Sequence, residues 1–218
     1  MDKSDELEQY LQGVFNWVRA QAPQVIDHLK GPADKLAMAE VSAQTGLTLP
    51  ADYQQFLQRH DGEDQQTWLA LLGEGHQLLA CEAIVAQYQQ EQEIAKMWVG
   101  QDFDTLEFWK DRVQSGCILV RGPVKPLMTH PRWLPLTCMN GDVFRYFDFD
   151  PAPGGIQGQI IEVDPEGCSY QVLAPDFTTL LRDYLTELEA NHYVADQEGF
   201  IERVNPPEEH WEVPAWLS

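Results

Sequence analysis

Two carboxylates at the end of a predicted strand are the residues whose type and spacing best suit chemistry. Asp148 and Asp150 lie two positions apart in an alternating segment, residues 143–150, and residues two apart in a strand point to the same face of a sheet. Such a pair could share a proton or bind a divalent cation. It could instead end the strand beside Pro151 and accept hydrogen bonds from amides of the next loop, or form an acidic patch that faces a partner. The structural role is the simplest of the three interpretations.

A second acidic group follows a predicted helix. Asp61, Glu63 and Asp64 lie within four residues of one another. A calcium-binding EF-hand loop needs ligands at fixed positions up to the twelfth, and the phase here does not fit. We therefore interpret this group as a solvated turn or as a loop that binds a partner.

The sequence lacks the motifs of familiar catalytic sites. None of its serines has the GxSxG context of a hydrolase nucleophile. The six histidines show no HxxxH or HExxH spacing, so a zinc site is not expected. Gly73-Glu74-Gly75 and Gly154-Gly155 lack the setting that cradles a phosphate. The sequence therefore predicts no enzymatic activity, no cofactor and no metal.

Several aromatic residues lie on the predicted strands. Trp133, Phe144, Tyr146 and Phe147 are expected to pack in the core, and they become interface anchors only if one sheet face is left uncovered. Taken with the acidic groups, the sequence suggests these residues as contacts of a protein partner: Asp61, Glu63, Asp64, Asp142, Tyr146, Asp148 and Asp150.

The charge of the chain narrows the choice of partner. The 218 residues include 35 acidic and 14 basic ones, which gives a net charge of −21. Residues 148–218 hold 15 acidic residues against Arg182 and Arg203, a net charge of −13. Such a surface repels phosphate backbones, which argues against nucleic-acid binding, and it attracts a basic protein. The alternative is that the acidic residues only keep the protein soluble.

Hydropathy and cysteine spacing indicate the compartment. The longest apolar runs, such as residues 117–120, are too short to cross a bilayer, and the first residues are polar and acidic, unlike a signal peptide. The four cysteines lie at least 21 residues apart with no CxxC pair, which is typical of reduced, mostly buried thiols. We therefore expect a cytoplasmic protein with no membrane association.

The first half of the chain, which carries Asp61, Glu63 and Asp64, is predicted to be mostly helical. Residues 5–19 carry an apolar stripe at helical spacing. Pro50 suits the first turn of a helix, and Gly62 suits the left-handed residue that ends it. A short apolar run, residues 68–72, is predicted as a strand, and residues 81–97 as a further helix.

The pattern changes toward period two from residue 118. A strand begins at Trp133, residues 143–150 alternate, and residues 156–173 predict a hairpin. Asp176 caps a final amphipathic helix. The order predicts an α+β fold: a mostly antiparallel β-sheet with helices packed on one face, N-terminal helices, and a helix after the last strand.

Two stretches, taken together, resemble a known family. The first is Leu49-Pro50-x-x-Tyr53-x-x-Phe56-Leu57, which runs into Asp61-Gly62. The second runs from Trp133-Leu134-Pro135-Leu136 through Gly141-Asp142, Phe147-Asp148-Phe149-Asp150-Pro151 and Gly155-x-x-Gly158-Gln159-Ile160 to Ala174-Pro175-Asp176-Phe177. In order and spacing these motifs are similar to the SUKH superfamily in its Smi/Knr branch, over about residues 35–188. Asp176 stands where that family often has Ser, and either residue can cap a helix.

The resemblance implies a protein-binding fold that brings no set of catalytic residues. Bacterial members of the family typically neutralise toxins, many of them nucleases, and fungal members are regulatory. We therefore predict a Smi/Knr-like domain at residues 33–190, a helical extension at 1–32, and an acidic tail at 191–218 that docks through its aromatic residues.

The predicted function is that of an immunity protein against a basic, nuclease-type toxin. One alternative is a regulatory or scaffold protein of the same fold. Another is a small-ligand or metal-binding protein that uses Asp148 and Asp150.

Overall fold

A six-stranded mixed sheet organises the fold. The computed structural model describes residues 3–98, 106–204, 206, 211 and 213–217. The sheet strands are β1 (Gln77–Leu78), β2 (Leu119–Arg121), β3 (Trp133–Met139), β4 (Val143–Asp148), β5 (Gln159–Asp164) and β6 (Ser169–Ala174). Their order is β1-β3-β4-β5-β6-β2, and every neighbouring pair is antiparallel except β2 with β6. The predicted α+β class is confirmed.

The helices of the described residues precede, interrupt and follow the sheet: α1 (Lys3–Gln21), α2 (Pro23–Asp27), α3 (Lys35–Thr45), α4 (Ala51–Leu57), α5 (Cys81–Trp98), α6 (Leu106–Gln114) and α7 (Phe177–Glu189). Asp176 caps α7 as predicted, since its side chain accepts a hydrogen bond from Thr179 N at 2.8 Å. No helix in the described part of the chain is both long enough and apolar enough to cross a bilayer.

The main core lies between one face of the sheet and most of the helices. Tyr53 of α4 packs between Phe147 of β4 and Phe177 of α7, with its ring centroid 5.2 Å from that of Phe147 and 5.1 Å from that of Phe177. The apolar stripe of α1, including Leu11 and Val14, is buried in the same core. The domain boundaries at residues 32 and 190 stay predictions, although α1 packs as part of the core.

A smaller apolar cluster covers the opposite face of the sheet. Successive side chains of a strand point to opposite faces, so Phe144 and Tyr146 of β4 lie opposite Phe147. They pack in a cluster that includes Trp109 and Val113 of α6. Both faces of β4 are therefore buried, and its aromatic residues are core residues.

The strand predicted at residues 68–72 is wrong. These residues form a loop, and the strand of this region is the two-residue β1. Gly62 was predicted to be the left-handed residue that ends the helix. That role is wrong, because α4 already ends at Leu57. Gly62 does adopt φ +67°, and a Cβ there would lie 2.5 Å from Ala80 N. Close approach of two backbone segments therefore requires this glycine.

The C-terminal tail is more structured than the predicted extended segment. It forms an antiparallel hairpin of β7 (Tyr193–Ala195) and β8 (Ile201–Arg203) and a short 3₁₀ helix (Ala215–Leu217). Trp216 packs against the smaller cluster, and its Nε1 donates to the Gly122 carbonyl at 3.4 Å. Residues 205, 207–210, 212 and 218 of the predicted tail lie outside the described residues.

The cysteines are unpaired, but the expectation that most are buried is wrong. Cys81 is buried and Cys138 is half-buried, whereas Cys117 and Cys168 are exposed. Cys168 lies in the turn between β5 and β6, where it has φ +51°. A turn between short strands leaves its side chain outside the core.

Candidate functional site

Asp148 is a buried acceptor at the centre of a hydrogen-bond network. Its Oδ1 accepts from Trp133 Nε1 at 3.1 Å and from the Asp150 backbone N–H at 3.0 Å, and its Oδ2 accepts from Gln159 Nε2 at 3.1 Å. The side chain has 0% exposure. Burial raises the pKa of Asp148, and these three hydrogen bonds oppose the shift. The contacts give Asp148 a structural role, because they join β3, β4 and β5 where β4 ends.

Asp150 lies outside the core and forms an ion pair. Its Oδ2 is 2.6 Å from Lys125 Nζ and 3.3 Å from His130 Nε2. The hydrogen bond from Lys125 lowers the pKa of Asp150. Asp148 and Asp150 are thus held by different protein partners. Among the described residues, no group of three or more His, Cys, Asp or Glu side chains is placed to hold a metal ion.

Tyr146 is buried against α5. Its hydroxyl donates to Glu91 Oε1 at 2.9 Å, and its ring lies 5.5 Å from that of Trp133. Glu91 is itself 3% exposed, and its Oε2 has no partner within the described residues. Burial raises the pKa of Glu91 to about 7. Tyr146 therefore packs in the core in this conformation rather than at a surface.

Asp61 and Glu63 hold backbone segments together. Asp61 Oδ1 accepts from the Cys81 N–H at 2.8 Å, at the start of α5. Glu63 has 0% exposure, and its two carboxylate oxygens accept from the N–H groups of Leu71 and Leu78 at 2.7 Å each. Burial raises the pKa of Glu63 to about 8, because the two donors offset only part of the desolvation. A surface built from this acidic group therefore cannot include the Glu63 side chain.

The loop between Glu63 and β1 presents an exposed tryptophan. Gln77 Nε2 donates to the carbonyls of Asp64 (3.0 Å), Thr67 (2.6 Å) and Leu69 (3.2 Å). These bonds turn the loop around one buried amide, and they leave Trp68 at 62% exposure. Because the Gln77 hydrogen bonds fix this loop, the exposed Trp68 side chain is suited to anchor a binding partner.

The same loop ends in a turn of unusual backbone conformation. Gly73, Glu74 and Gly75 have φ values of +72°, +51° and +74°, and only glycine enters that region without strain. The Glu74 N–H donates to the Ile201 carbonyl of β8 at 2.7 Å, which fixes the turn. The Glu74 side chain is thereby held half-buried in a cleft.

This charged cleft has a volume of about 440 Å³. It lies between the central residues of β4, β5 and β6 on one side and α7 with the β7–β8 hairpin on the other. The charged or hydroxyl side chains that line it include Glu74, Arg145, Glu162, Tyr184, Glu187 and Arg203. Its size is within the range of pockets that hold small ligands.

Most charges in the cleft are paired. Arg145 Nε lies 2.9 Å from Glu162 Oε2, across neighbouring strands, and Arg203 pairs with Glu187. Burial opposes ionisation of Glu162, but the charge of Arg145 keeps its pKa below the usual value. Burial also lowers the pKa of His76 to about 3, so His76 is neutral at pH 7, and its Nε2 lies 3.3 Å from Glu162 Oε2.

Glu74 and Tyr184 are the exceptions. Among the described residues, the Glu74 carboxylate has no ion pair and accepts only a long hydrogen bond, 3.5 Å from the Tyr193 hydroxyl. Burial raises its pKa, and the charge of Arg145 offsets the shift in part. The Tyr184 hydroxyl is buried and has no hydrogen-bond partner within the described residues. Polar groups of this kind are uncommon in a core and mark places where a ligand completes the hydrogen bonds.

Sequence reasoning missed this cleft, although two signals were present. Gly73-Glu74-Gly75 was compared only with a phosphate-binding loop, whereas a residue between two glycines can also mark a strained turn. Arg145 stands in the alternating series with Phe147, which placed it on the core-facing side of β4. A charged residue at such a position needs a buried partner, and Glu162 is its cross-strand neighbour.

Asp142 and Asp64 lie near the exposed tryptophan. Asp142 closes the turn between β3 and β4, where it accepts from Asn140 Nδ2 at 3.2 Å. Met139 of that turn and the Trp68 carbonyl both lie within 4 Å of the position that a Cβ of Gly75 would take. Asp64, Trp68 and Asp142 therefore occupy the β1 edge of the sheet, beside the turn that carries Glu74.

Comparison with known sequences gives a family but no individual relative. No curated protein matches the chain. The sequence model of the SMI1 / KNR4 family (SUKH-1) matches residues 32–183, which is most of the chain and most of the predicted domain. Family membership supports, in general, a non-enzymatic interaction module of immunity or regulatory type. The helix α1 and the β7–β8 hairpin lie outside the match. The chain belongs to the SMI1 / KNR4 family (SUKH-1).

Proposed function

We propose that this chain is an immunity protein that binds and neutralises a basic protein toxin of the nuclease type. The observation that carries the proposal is that five acidic residues of α7 and the β7–β8 hairpin are exposed: Asp183, Glu189, Asp196, Glu198 and Glu202. We call these five residues the acidic surface. Nucleases hold phosphate with basic residues, and an opposite charge of this density speeds association and covers such a site.

The exposed Trp68 supplies an apolar anchor that charge alone lacks. Binding energy usually concentrates in a few aromatic or arginine side chains surrounded by polar ones. Asp64 lies in the same loop as Trp68, Asp142 lies in the β3–β4 turn, and we propose all three as partner contacts. Asp61 and Asp150, which are partly exposed, are kept as proposed contacts at the rim. The buried Glu63, Tyr146 and Asp148 would act only by supporting the fold.

The cysteines support a reducing location. Cys117 and Cys168 are exposed and unpaired, and such thiols persist in the cytoplasm rather than in oxidising compartments. We therefore propose that the chain meets its partner in the cytoplasm.

The proposal is tested by co-expression with toxins encoded beside its gene, scored by growth rescue and by the association rate with the purified toxin. Glu189, Glu198 and Glu202 are changed together to Gln. Exposed Glu40, Glu82 and Glu107 of α3, α5 and α6, changed to Gln, form a control with the same net charge. We expect the acidic-surface variant to associate about tenfold or more slowly at low salt and to lose rescue, while the control stays near wild type.

If the two triple variants changed the association rate and the growth rescue equally, the proposed role of the acidic surface would be refuted. A pull-down that returns an ordinary cellular protein, with no rescue from any neighbouring toxin, would favour a regulatory or scaffold role of the same fold.

A further inference from the structure

The charged cleft contains a carboxylate and a hydroxyl that the chain itself does not satisfy. Glu74 is held there by a strained turn between two glycines, and it has no ion pair within the described residues. The Tyr184 hydroxyl, on a side chain of 7% exposure, lines the same cleft with no hydrogen-bond partner in the described part of the chain. Strain that is maintained by the surrounding structure is typical of ligand sites.

The charge of the cleft favours a cationic occupant. Of its three arginines, Arg145 and Arg203 are already paired with carboxylates, and Arg121 donates to Gln171. Of the four lining carboxylates, Glu162 and Glu187 pair with these arginines and Asp183 pairs with Arg182. Glu74 is therefore the lining carboxylate that has no ion pair among the described residues. The unpaired Glu74 carboxylate attracts a cation and repels an anion.

A further contact indicates that the cation is attached to a peptide. Arg203 Nε is buried and has no acceptor among the residues that the structure describes. It is a donor, so it cannot bind a cationic group, but it can donate to a backbone carbonyl next to one. A guanidinium or ammonium group in contact with Glu74 and Tyr184, with its peptide carbonyl at Arg203, would satisfy all three groups.

We propose that the charged cleft is the docking pocket for a single arginine or lysine side chain of the basic partner, with Glu74 as its counter-ion and Tyr184 as a second acceptor. The inference rests on the proposed function, because it names the anchoring site for that partner. Tyr184, Glu187 and Arg203 lie outside the residues that match the family model. One wall of the pocket therefore lies outside the family match.

The test uses a small ligand, so that it does not depend on knowing the partner. N-acetyl-arginine methylamide is titrated into the full chain and followed by NMR. The neutral citrulline analogue and the anionic N-acetyl-glutamate methylamide serve as controls. We expect saturable shifts for the arginine compound, with a Kd on the order of 1 mM, and no saturation with the other two.

Variants then assign the binding to the cleft. Glu74→Gln should weaken the arginine compound about tenfold, and Tyr184→Phe should weaken it by a smaller factor. Glu40→Gln, on the distant helix α3, should leave it unchanged. If Glu74→Gln does not fold, Glu74→Asp keeps the charge and shortens its reach, and the three-compound comparison on the wild-type chain still decides.

Equal binding of the arginine and citrulline compounds, tighter binding of the glutamate compound, or unchanged binding by Glu74→Gln would overturn the inference. The outcomes separate it from the proposed function. If the arginine compound binds but no toxin does, the pocket stands and the immunity role fails. If a toxin binds equally to wild type and Glu74→Gln, only the pocket assignment fails.

Discussion

Replacing Glu63 with Gln tests whether a buried carboxylate sets the pH dependence of stability. The side chain is fully buried, and its two oxygens receive the N–H groups of Leu71 and Leu78 at 2.7 Å. Burial raises its pKa from 4.5 to about 8. The folded state therefore holds a proton that the unfolded state releases between these two values.

The magnitude follows from this difference in pKa. An acid with a raised folded pKa stabilises the fold fully below pH 4.5, and this contribution is lost as the pH rises toward 8. Between these two pH values the free energy of unfolding falls by up to about 1.4 kcal/mol per pH unit. Allowing for partial ionisation of the unfolded state near pH 5, the free energy of unfolding should fall by about 2.5 kcal/mol between about pH 5 and pH 7.

The assay is urea unfolding at several values of pH for wild type, Glu63→Gln and the control Asp64→Asn. The neighbouring Asp64 is only partly buried. The contributions of other buried groups, such as Glu91 and His76, are common to all three proteins and cancel in the differences. We expect the Glu63→Gln curve to be flatter than the other two by about 2.5 kcal/mol over this interval.

Parallel curves for wild type and Glu63→Gln would refute the reasoning. They would mean that the two N–H donors keep Glu63 ionised and that its pKa is ordinary. A constant offset of about 1–3 kcal/mol would then be the cost of facing an amide NH₂ group against a backbone donor.

Three further outcomes are expected. Trp68→Ala should leave stability unchanged but weaken binding of the basic partner by about 2 kcal/mol, or about 30-fold in Kd, because an exposed aromatic anchor is lost. Tyr146→Phe should lower the free energy of unfolding by about 1–3 kcal/mol in urea titrations, since buried Glu91 loses a donor; a change near zero would contradict the buried hydrogen bond. In thiol titration with a chromogenic disulfide, Cys117 and Cys168 should react in the folded protein, and the other two thiols only after unfolding.

Features with a local physical signal were predictable from the sequence. The helix α1 was predictable because its apolar residues repeat at helical spacing, and the start of α7 because Asp176 offers a side-chain acceptor to its first turn. The hairpin of β5 and β6 follows from alternation around a turn. The family was recognisable because its motifs keep their order and spacing over most of the chain.

The residues 68–72 show where local pattern fails. Their apolar run fits a strand, but Leu71 and Leu72 are buried from a loop. The backbone bonds there are made to the side chains of Glu63 and Gln77, which lie at either end of the loop in the sequence. No pattern within five residues contains that information.

For the acidic residues, the sequence gives their number and position along the chain, whereas the structure gives their burial and hydrogen-bond partners. Sequence alone established the net charge of −21 and its concentration toward the C-terminus. Only the tertiary structure decided that Glu63 and Asp148 are internal acceptors, and that Glu74 forms no ion pair among the described residues. The physical reason is that burial and hydrogen-bond partners depend on segments brought together from distant parts of the chain, whereas composition is fixed before folding.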